Sequence, residues 1–402
     1  MNSATAIIKH QRTVKILFYS AMTLITFAAF ETGMRVIEFF GPRTFIFRQF
    51  DPLLGVSLIP NASGIHRRCF DGYVSINSQG LRDASRQIKK PSGTIRIGLF
   101  GDSVVEGVHV HPEQIVSQRL EARLNRNVCN GNCEVLNFSV GGYGTFQQWM
   151  RYRRDGNRFG LDVVALIFFG NDVQDNLPGS TFDSNLYSAP YMTINPDGSE
   201  SVHPPVKPSF YALLFYLSKH SALFRFLYKY YYHYISVMRR QGNLNKHHIH
   251  IAHSPSIPAE LISDSNLGKM GWAATERAMT RFSDEAKRDG ANFVIFHSGY
   301  QVLRPTDQNH KVGGEYRRET GHIVDFGFAS KWFAKFSQRS GVPVYDWDRY
   351  LDNYLNENKL TNVGLGYSCD AHLNPEGHAV LADFLYQNLF SVIQEKLQLL
   401  NR

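Results

Sequence analysis

The sequence predicts an α/β protein with a doubly wound, three-layer parallel sheet, a helical insertion and an N-terminal transmembrane helix. Short apolar runs bounded by turn residues indicate buried strands, and amphipathic helical patterns separate these runs. An uncharged segment near the N-terminus follows several basic residues. The chain has 402 residues, 43% of them hydrophobic, which is enough to form a large core.

Five apolar runs are expected to form the sheet. They are Ile95–Phe100, Val135–Phe138, Val163–Phe169, Phe293–Phe296 and Val342–Tyr345. Continuous apolar runs of this kind are typical of parallel strands that are buried on both faces. In such a sheet, reactive groups lie beyond the carboxyl ends of the strands.

Amphipathic helices are predicted between and after these strands. One apolar stripe runs from Trp272 to Ala286 with a period of three or four residues and stops before Gly290, a typical helix-ending residue. A similar stripe from Leu381 to Ile393 predicts the last helix. The alternation of strand and helix favours the doubly wound arrangement.

Residues 1–40 are predicted to be a membrane anchor. The uncharged run from Ile16 to Phe30 follows Lys9, Arg12 and Lys15, and terminal basic side chains can extend to the membrane surface. A cleaved signal peptide is the alternative, because Thr26 and Ala28 resemble a small-residue cleavage site. The excess of positive charge before the run places the N-terminus in the cytoplasm and the remaining chain on the extracytoplasmic side.

The cysteine content indicates the cellular compartment, and the net charge indicates the class of binding partner. Cys129 and Cys133 lie in a tight Asn/Gly loop where a disulfide is possible, whereas the state of Cys69 and Cys369 is open. The net charge of +8 comes with no nucleic-acid motif, so an anionic glycan or lipid surface is the expected partner. The oligomeric state is not predicted.

The domain prediction has three parts: the anchor, an extended lead-in over 41–93, and a catalytic domain over 94–398 with an insertion at 174–270. The insertion begins with a Pro/Gly/Ser-rich loop, 176–208, and continues into an aromatic segment, 210–238. A helical cap on the catalytic domain is favoured for the aromatic segment, and a basic, aromatic helix on the membrane surface is the alternative. We expect no metal site or cofactor, and the histidines near the end of the insertion are interpreted as a solvated loop: His247, His248, His250 and His253.

Ser103 is the first candidate for chemistry. It follows Gly101 and Asp102 directly after a predicted buried strand, at the start of a predicted helix, where backbone N–H groups stabilise negative charge. A turn residue that only caps the helix is the alternative. As a nucleophile, the serine needs a base and a group that orients the base.

Further candidates follow other predicted strands. His372 is the candidate base, and Asp370 lies two residues before it, on the same side of an extended backbone. Asn171 and Gly142 each follow a strand, where a side-chain amide and a backbone N–H can stabilise an oxyanion. Each feature alone is ordinary turn chemistry, but together they indicate an active site.

These motifs resemble the four blocks of the SGNH/GDSL hydrolase superfamily, whose members are serine esterases, lipases and acyltransferases. The resemblance extends from about Val74 to Leu389 and implies a flavodoxin-like three-layer fold. It implies Ser103 as nucleophile, His372 as general base and Asp370 as its orienting partner. It also implies an oxyanion hole formed by the N–H groups of Ser103 and Gly142 and the amide of Asn171. The segment INSQGLRD is similar to that of membrane-anchored bacterial relatives associated with cell-surface polysaccharide.

The chain departs from the family pattern at two points. Val104 replaces the usual leucine, and Asp370 precedes His372 by two residues, a spacing that also occurs in the polysaccharide O-acetyltransferase branch. A serine esterase acting on an acylated envelope glycan or lipid is the leading hypothesis. A polysaccharide O-acetyltransferase with the same triad is the alternative, and a non-catalytic glycan-binding or scaffold protein is the second alternative.

Overall fold

The structure of the chain is a computed structural model. It describes residues 2–41, 45–67, 70–179, 181–182, 187–228, 230–231, 263–298, 324–360, 362–367 and 370–400. Cys69, Cys369 and the four histidines between 247 and 253 lie outside the described residues. Cys129 and Cys133 form the disulfide that the loop sequence suggested.

The strands alternate with helices through most of the chain. The strands are β1 (Arg48–Asp51), β2 (Gly55–Leu58), β3 (Ser63–Arg67), β4 (Asp71–Ser75), β5 (Ile95–Phe100), β6 (Cys133–Asn137), β7 (Val163–Phe169), β8 (Thr181–Phe182), β9 (Tyr187–Ser188), β10 (Tyr191–Ile194), β11 (Glu200–His203), β12 (Asn292–Ser298), β13 (Val344–Asp346), β14 (Gly366–Tyr367) and β15 (Asp370–Leu373).

Helices of varied length connect and flank these strands. The α-helices are α1 (Asn2–Phe40), α2 (Ser103–Glu106), α3 (Val116–Leu124), α4 (Thr145–Arg154), α5 (Asn171–Asp175), α6 (Tyr211–His220), α7 (Asn266–Arg288), α8 (Phe328–Ser340), α9 (Trp347–Asn358) and α10 (Pro375–Leu400). Residues 222–228 are also helical and are called the second insertion helix. Shorter helical turns are Pro112–Gln114, Asn125–Cys129, Gly156–Phe159 and Asn362–Leu365.

The central sheet confirms the predicted fold class. Its strand order is β13-β12-β7-β5-β6, and every neighbouring pair is parallel. In chain order this is the 2-1-3-4-5 arrangement of flavodoxin-like folds, in which the winding direction reverses between the first and third strands. Here that switch point lies between β5 and β7. The five apolar runs therefore became the five strands, with boundary shifts of up to two residues.

Two hydrophobic cores lie on opposite faces of the sheet. Along β7, Val163, Ala165 and Ile167 pack into the core that contains α3, α9 and α10. Val164, Leu166 and Phe168 pack into the other core, with α4, α7 and α8. This alternation on a fully buried strand is the three-layer arrangement that continuous apolar runs predict.

The lead-in is more ordered than an extended segment. It forms two antiparallel hairpins, β1-β2 and β3-β4, within the same compact unit as the sheet. The buried guanidinium of Arg82 donates to the carbonyl oxygens of Glu106, Tyr73 and Val110 at 3.0, 3.0 and 2.7 Å. Because these bonds satisfy most of its donors, the arginine ties the lead-in to the loop that follows α2.

The chain divides into two compact units. The larger unit comprises 47–208 and 249–402, and the smaller comprises 1–46 and 209–248. The smaller unit contains α1, of which Lys9–Phe40 is long and apolar enough to cross a membrane, with a mean hydropathy of 1.6 over its best window. A signal sequence at the same position has the same properties.

The insertion has two parts in the structure. The 176–208 loop contains the hairpins β8-β9 and β10-β11, although its composition predicts little structure. The aromatic helices belong to the compact unit of α1, and the cap on the catalytic domain stays a prediction.

Candidate active site

Ser103 is the first residue of α2, directly beyond the carboxyl end of β5. The preceding residue, Asp102, is the N-cap: its Oδ1 accepts the N–H of Val104 at 2.9 Å. A side-chain oxygen at this position satisfies one of the unpaired N–H groups of the first helical turn. Capping is therefore done by Asp102, and the Ser103 hydroxyl is left for other contacts.

The hydroxyl of Ser103 contacts His372. Ser103 Oγ and His372 Nε2 are 2.8 Å apart, although 269 positions separate the two residues in the chain. His372 lies on β15, and the next residues fix the end of that strand: the N–H of Asn374 donates to the carbonyl of Leu365 at 3.0 Å. The structure thus brings together the nucleophile and base that the sequence predicted, at hydrogen-bond distance.

The third member of the predicted triad is Asp370. Its backbone begins β15 and pairs with Tyr367, two residues before His372. Its side chain lies outside the described part of the structure, so its orienting role remains a prediction.

Gly142 lies beside the Ser103 loop. The N–H of Val140 donates to the carbonyl of Gly101 at 3.3 Å, which joins the loop after β6 to the loop after β5. Gly142 itself has φ +81, a left-handed conformation that favours glycine. Among the described residues, neither its N–H nor that of Ser103 donates to a protein acceptor. Both N–H groups are therefore available to a ligand.

A buried carboxylate positions this glycine loop. The Oε2 atom of Glu106 accepts the N–H of Gly141 at 2.8 Å and also forms an ion pair with Arg48 of the lead-in. Glu106 is fully buried, so the cationic partner and the N–H bond offset part of the cost of removing its charge from water. The lead-in thereby contributes to the shape of the site.

Asn171 reaches the site, but its amide has other partners. It follows β7 and begins α5, and its Nδ2 donates to Asp102 Oδ2 at 2.9 Å and to Asp175 Oδ2 at 3.0 Å. A primary amide has two N–H bonds, and both are directed at carboxylates. An oxyanion role for this amide therefore requires that it release one of them.

Two acidic side chains of α5 have perturbed ionisation. Burial raises the pKa of Asp175 to about 7; the hydrogen bond from Asn171 lowers it, and the nearby Asp102 carboxylate raises it. Burial also raises the pKa of Asp172 well above its ordinary value, although Thr145 Oγ1 and Gln148 Nε2 donate to it. Several carboxyl groups beside one amide thus disfavour one another's ionised forms.

A second histidine supports the first. The rings of His109 and His372 are stacked, with centroids 3.9 Å apart and an angle of 19° between their planes. His109 is buried, its ring also meets that of Phe70 edge-on with centroids 4.7 Å apart, and Tyr367 Oη donates to its carbonyl at 2.9 Å. Tyr367 is on β14, the strand that pairs with β15. It therefore links the strand that carries His372 to the backbone of His109, whose ring stacks on that of His372.

A third histidine, His378, has a strongly lowered pKa. It is buried in α10, where burial, followed by the positive charges of Arg82 and Arg119 and by His372, lowers its pKa to about 3. It is therefore neutral at pH 7 and adds no competing charge beside the serine–histidine pair. Among the residues described, no group of three or more His, Cys, Asp or Glu side chains is placed to hold a metal ion.

The fold and the site define a class: an α/β protein with a serine–histidine pair at the switch point of a doubly wound sheet. No protein-family model and no curated protein matches the chain. Among solved structures, TesA aligns with a TM-score of 0.38 and 10% identity over 73% of this chain and 97% of its own.

Two solved structures with named activities are also similar. A mutant of Axe2, an acetylxylan esterase from Geobacillus stearothermophilus, has a TM-score of 0.38 and 11% identity over 74% of this chain and 95% of its own. The psychrotrophic esterase EstA from Pseudoalteromonas sp. has a TM-score of 0.36 and 9% identity over 74% and 98%. At TM-scores below 0.5, these alignments assign no activity to this chain.

Sequence reasoning did not identify His109, Glu106 or Asp175 as parts of the site. A signal was present for Glu106, a charged residue in the otherwise apolar stretch that follows Ser103. His109 lies in the loop next to it and had no spacing that related it to His372. These roles depend on contacts between residues that are far apart in the chain.

Replacing His109 tests the stacked pair. We expect His109→Ala to lower kcat by about 10- to 100-fold on an activated ester with little change in KM, because the His372 ring loses its support. His109→Phe keeps a ring at this position and should retain most of the activity. Equal losses in the two folded variants, checked by circular dichroism, would show that the ring contact does not matter.

Replacing Asp175 tests its raised pKa. The folded state binds this proton more tightly than the unfolded state, whose pKa is near 3.8, so Asp175 reduces stability as the pH rises from about 4 to about 7. Asp175→Asn cannot ionise and still offers an oxygen to Asn171. The thermal midpoint of the variant minus that of the wild type should therefore increase as the pH rises from about 5 to about 8. Asp284→Asn, at an exposed position on α7, is the matched control. If the thermal midpoint of Asp175→Asn followed the same pH dependence as that of the wild type, the prediction would be contradicted.

Proposed function

We propose that the chain is a membrane-anchored serine hydrolase of the SGNH/GDSL type that acts on acyl esters through an acyl-serine intermediate. The observation that carries the proposal is the 2.8 Å contact between Ser103 Oγ and His372 Nε2 at the switch point of the sheet. A serine hydroxyl needs such a base to become a nucleophile at neutral pH.

The first half-reaction forms the acyl-serine. Ser103 Oγ attacks the acyl carbonyl while His372 Nε2 takes its proton, and the carbonyl oxygen becomes an oxyanion. His372 then returns the proton to the leaving alcohol as the bond between the acyl carbon and the alcohol oxygen breaks. Asp370 is proposed to orient the imidazole through its other nitrogen.

The oxyanion is proposed to bind the N–H groups of Ser103 and Gly142. Their lack of a protein acceptor, the left-handed Gly142 and the Glu106 contact to its neighbour support this role. Asn171 is proposed to add a third donor by turning one amide hydrogen from Asp175 to the oxyanion. Protonation of Asp175 favours that turn, because a neutral carboxyl is a weaker acceptor than a carboxylate.

The second half-reaction sets the activity. Water as acceptor gives an esterase, and a sugar hydroxyl gives an O-acyltransferase. The two-residue spacing of Asp370 and His372, together with INSQGLRD, supports an acylated cell-envelope polysaccharide or lipid as substrate through the family resemblance. The basic residues before the apolar run of α1 support a cytoplasmic N-terminus and an extracytoplasmic catalytic unit.

The decisive variant is Ser103→Ala. Incubated with an activated acetyl ester, the full chain should release the acyl group and Ser103→Ala should not, because the attacking oxygen is missing. Product analysis with and without a glycan acceptor separates hydrolysis from transfer. Unchanged turnover in the variant would refute the nucleophile, and a folded wild type that neither cleaves nor transfers would favour the non-catalytic alternative.

Replacing Asn171 tests the third donor. Asn171→Ala should lower kcat by about a hundredfold and leave KM nearly unchanged, because an oxyanion donor acts mainly in the transition state. Asn195→Ala, in the turn between β10 and β11, is the control for loss of an asparagine side chain. A purely structural role would instead lower the thermal midpoint and leave kcat of the remaining folded protein intact.

A further inference from the structure

A carboxylate of α1 caps the second insertion helix. Glu31 accepts three hydrogen bonds: from Ser221 Oγ at 2.8 Å, from the N–H of Ala222 at 2.9 Å and from the N–H of Leu223 at 3.0 Å. The first N–H groups of a helix have no partner within it and favour a negative charge. Ser221 is the N-cap residue, since its Oγ accepts the N–H of Phe224 at 3.0 Å. Glu31 therefore satisfies the two N–H groups of the first turn that Ser221 does not.

Further polar contacts continue along the same stretch of α1. Arg225 donates from Nε to Glu38 at 2.8 Å and from a second nitrogen to the same carboxylate at 2.5 Å. Arg35 donates to the carbonyl of His220 at 2.6 Å and pairs with Glu31 at 2.8 Å. The charged residues that follow the apolar run of α1 are thus bonded to the insertion, which fixes its position along α1.

Among the described residues of their unit, the insertion helices carry several exposed apolar side chains. Phe210, which precedes α6, and Leu213 and Tyr216 on α6 recur every three residues and are each about 60% exposed. Beyond them lie further exposed residues: Phe226, Leu227, Tyr230 and Tyr231. In water, an aromatic surface of this extent is an aggregation hazard, and it normally marks an interaction site.

Continuity with α1 identifies the occupant. The apolar run Ile16–Phe30 is uncovered as well; Leu24, for example, is 69% exposed. At 1.5 Å per residue, this run spans about 22 Å of the roughly 30 Å hydrocarbon core, so the charged residues from Glu31 to Glu38 reach the boundary with the headgroups when α1 crosses a bilayer. The Glu31 contacts hold the aromatic face at that depth. Tyrosine is enriched at this boundary, and the exposed Lys219 suits anionic headgroups.

We propose that α6 and the second insertion helix lie in the lipid interface, with the aromatic face against the bilayer. The insertion is then a second membrane contact, held beside the anchor by Glu31 and Arg225. This inference rests on the proposed membrane anchoring by α1 and not on the acyl chemistry of Ser103. A second copy of the chain on the same face is the competing occupant.

Photocrosslinking in a bilayer distinguishes these occupants. The full chain is placed in vesicles of phosphatidylethanolamine and phosphatidylglycerol, with p-benzoylphenylalanine introduced at Leu213 or at Tyr230. Leu24 on the anchor is the positive control, and Lys335, an exposed residue of α8, is the negative control. The products are identified by intact mass and by gel mobility.

The proposal predicts phospholipid adducts at Leu213 and Tyr230 at a yield within about threefold of that at Leu24, and at least tenfold above that at Lys335. Adducts at Leu24 without adducts at the two insertion positions would overturn it. Crosslinked dimers at Leu213 and Tyr230 would assign the face to a second copy instead. Esterase activity is measured separately on the same samples, so failure of the catalytic proposal does not affect this outcome.

Discussion

The parallel pairing of β5 with both β6 and β7 is the constraint on which the site depends. The chain leaves β5, winds one way to β6, and then passes back across β5 to build the other half of the sheet. Crossovers that diverge at this point leave a crevice at the carboxyl ends of β5 and β7. Ser103 and Asn171 follow these two strands, and β15 brings His372 to the same edge.

Buried charged side chains hold the loops that line the crevice. Glu106 bonds the Gly141 N–H and Arg48, while Arg82 bonds three carbonyl groups on β4, on α2 and in the segment after α2. A buried charge without a partner is strongly destabilising, so each of these side chains depends on the lead-in and the loops remaining in place. The hairpins before the first central strand therefore help to hold the candidate site in place. The stacked His109 completes this support on the side of His372.

The runs of consecutive apolar residues predicted the sheet well, because a central strand that is buried on both faces consists almost entirely of apolar residues. Ser103 and His372 were predictable because each follows a recognisable strand or precedes a recognisable helix start. The partners of Asn171 were not, because an amide between Asp102 and Asp175 is set by the distance between two loops. The insertion helices pack against α1 through Glu31, which is 190 positions before Ser221, and composition carries no information on such pairing. Their aromatic content was visible, but their neighbour was not.

Covalent labelling of the serine tests the central claim most directly. A fluorophosphonate forms a bond between its phosphorus and an activated serine oxygen and loses fluoride, without requiring the natural substrate. Ser103 should be the labelled residue in a peptide digest of the full chain, and His372→Ala should slow the labelling by about a hundredfold or more because the base is missing. Labelling at another residue, or an unlabelled Ser103 in a chain shown to be folded, would contradict the account.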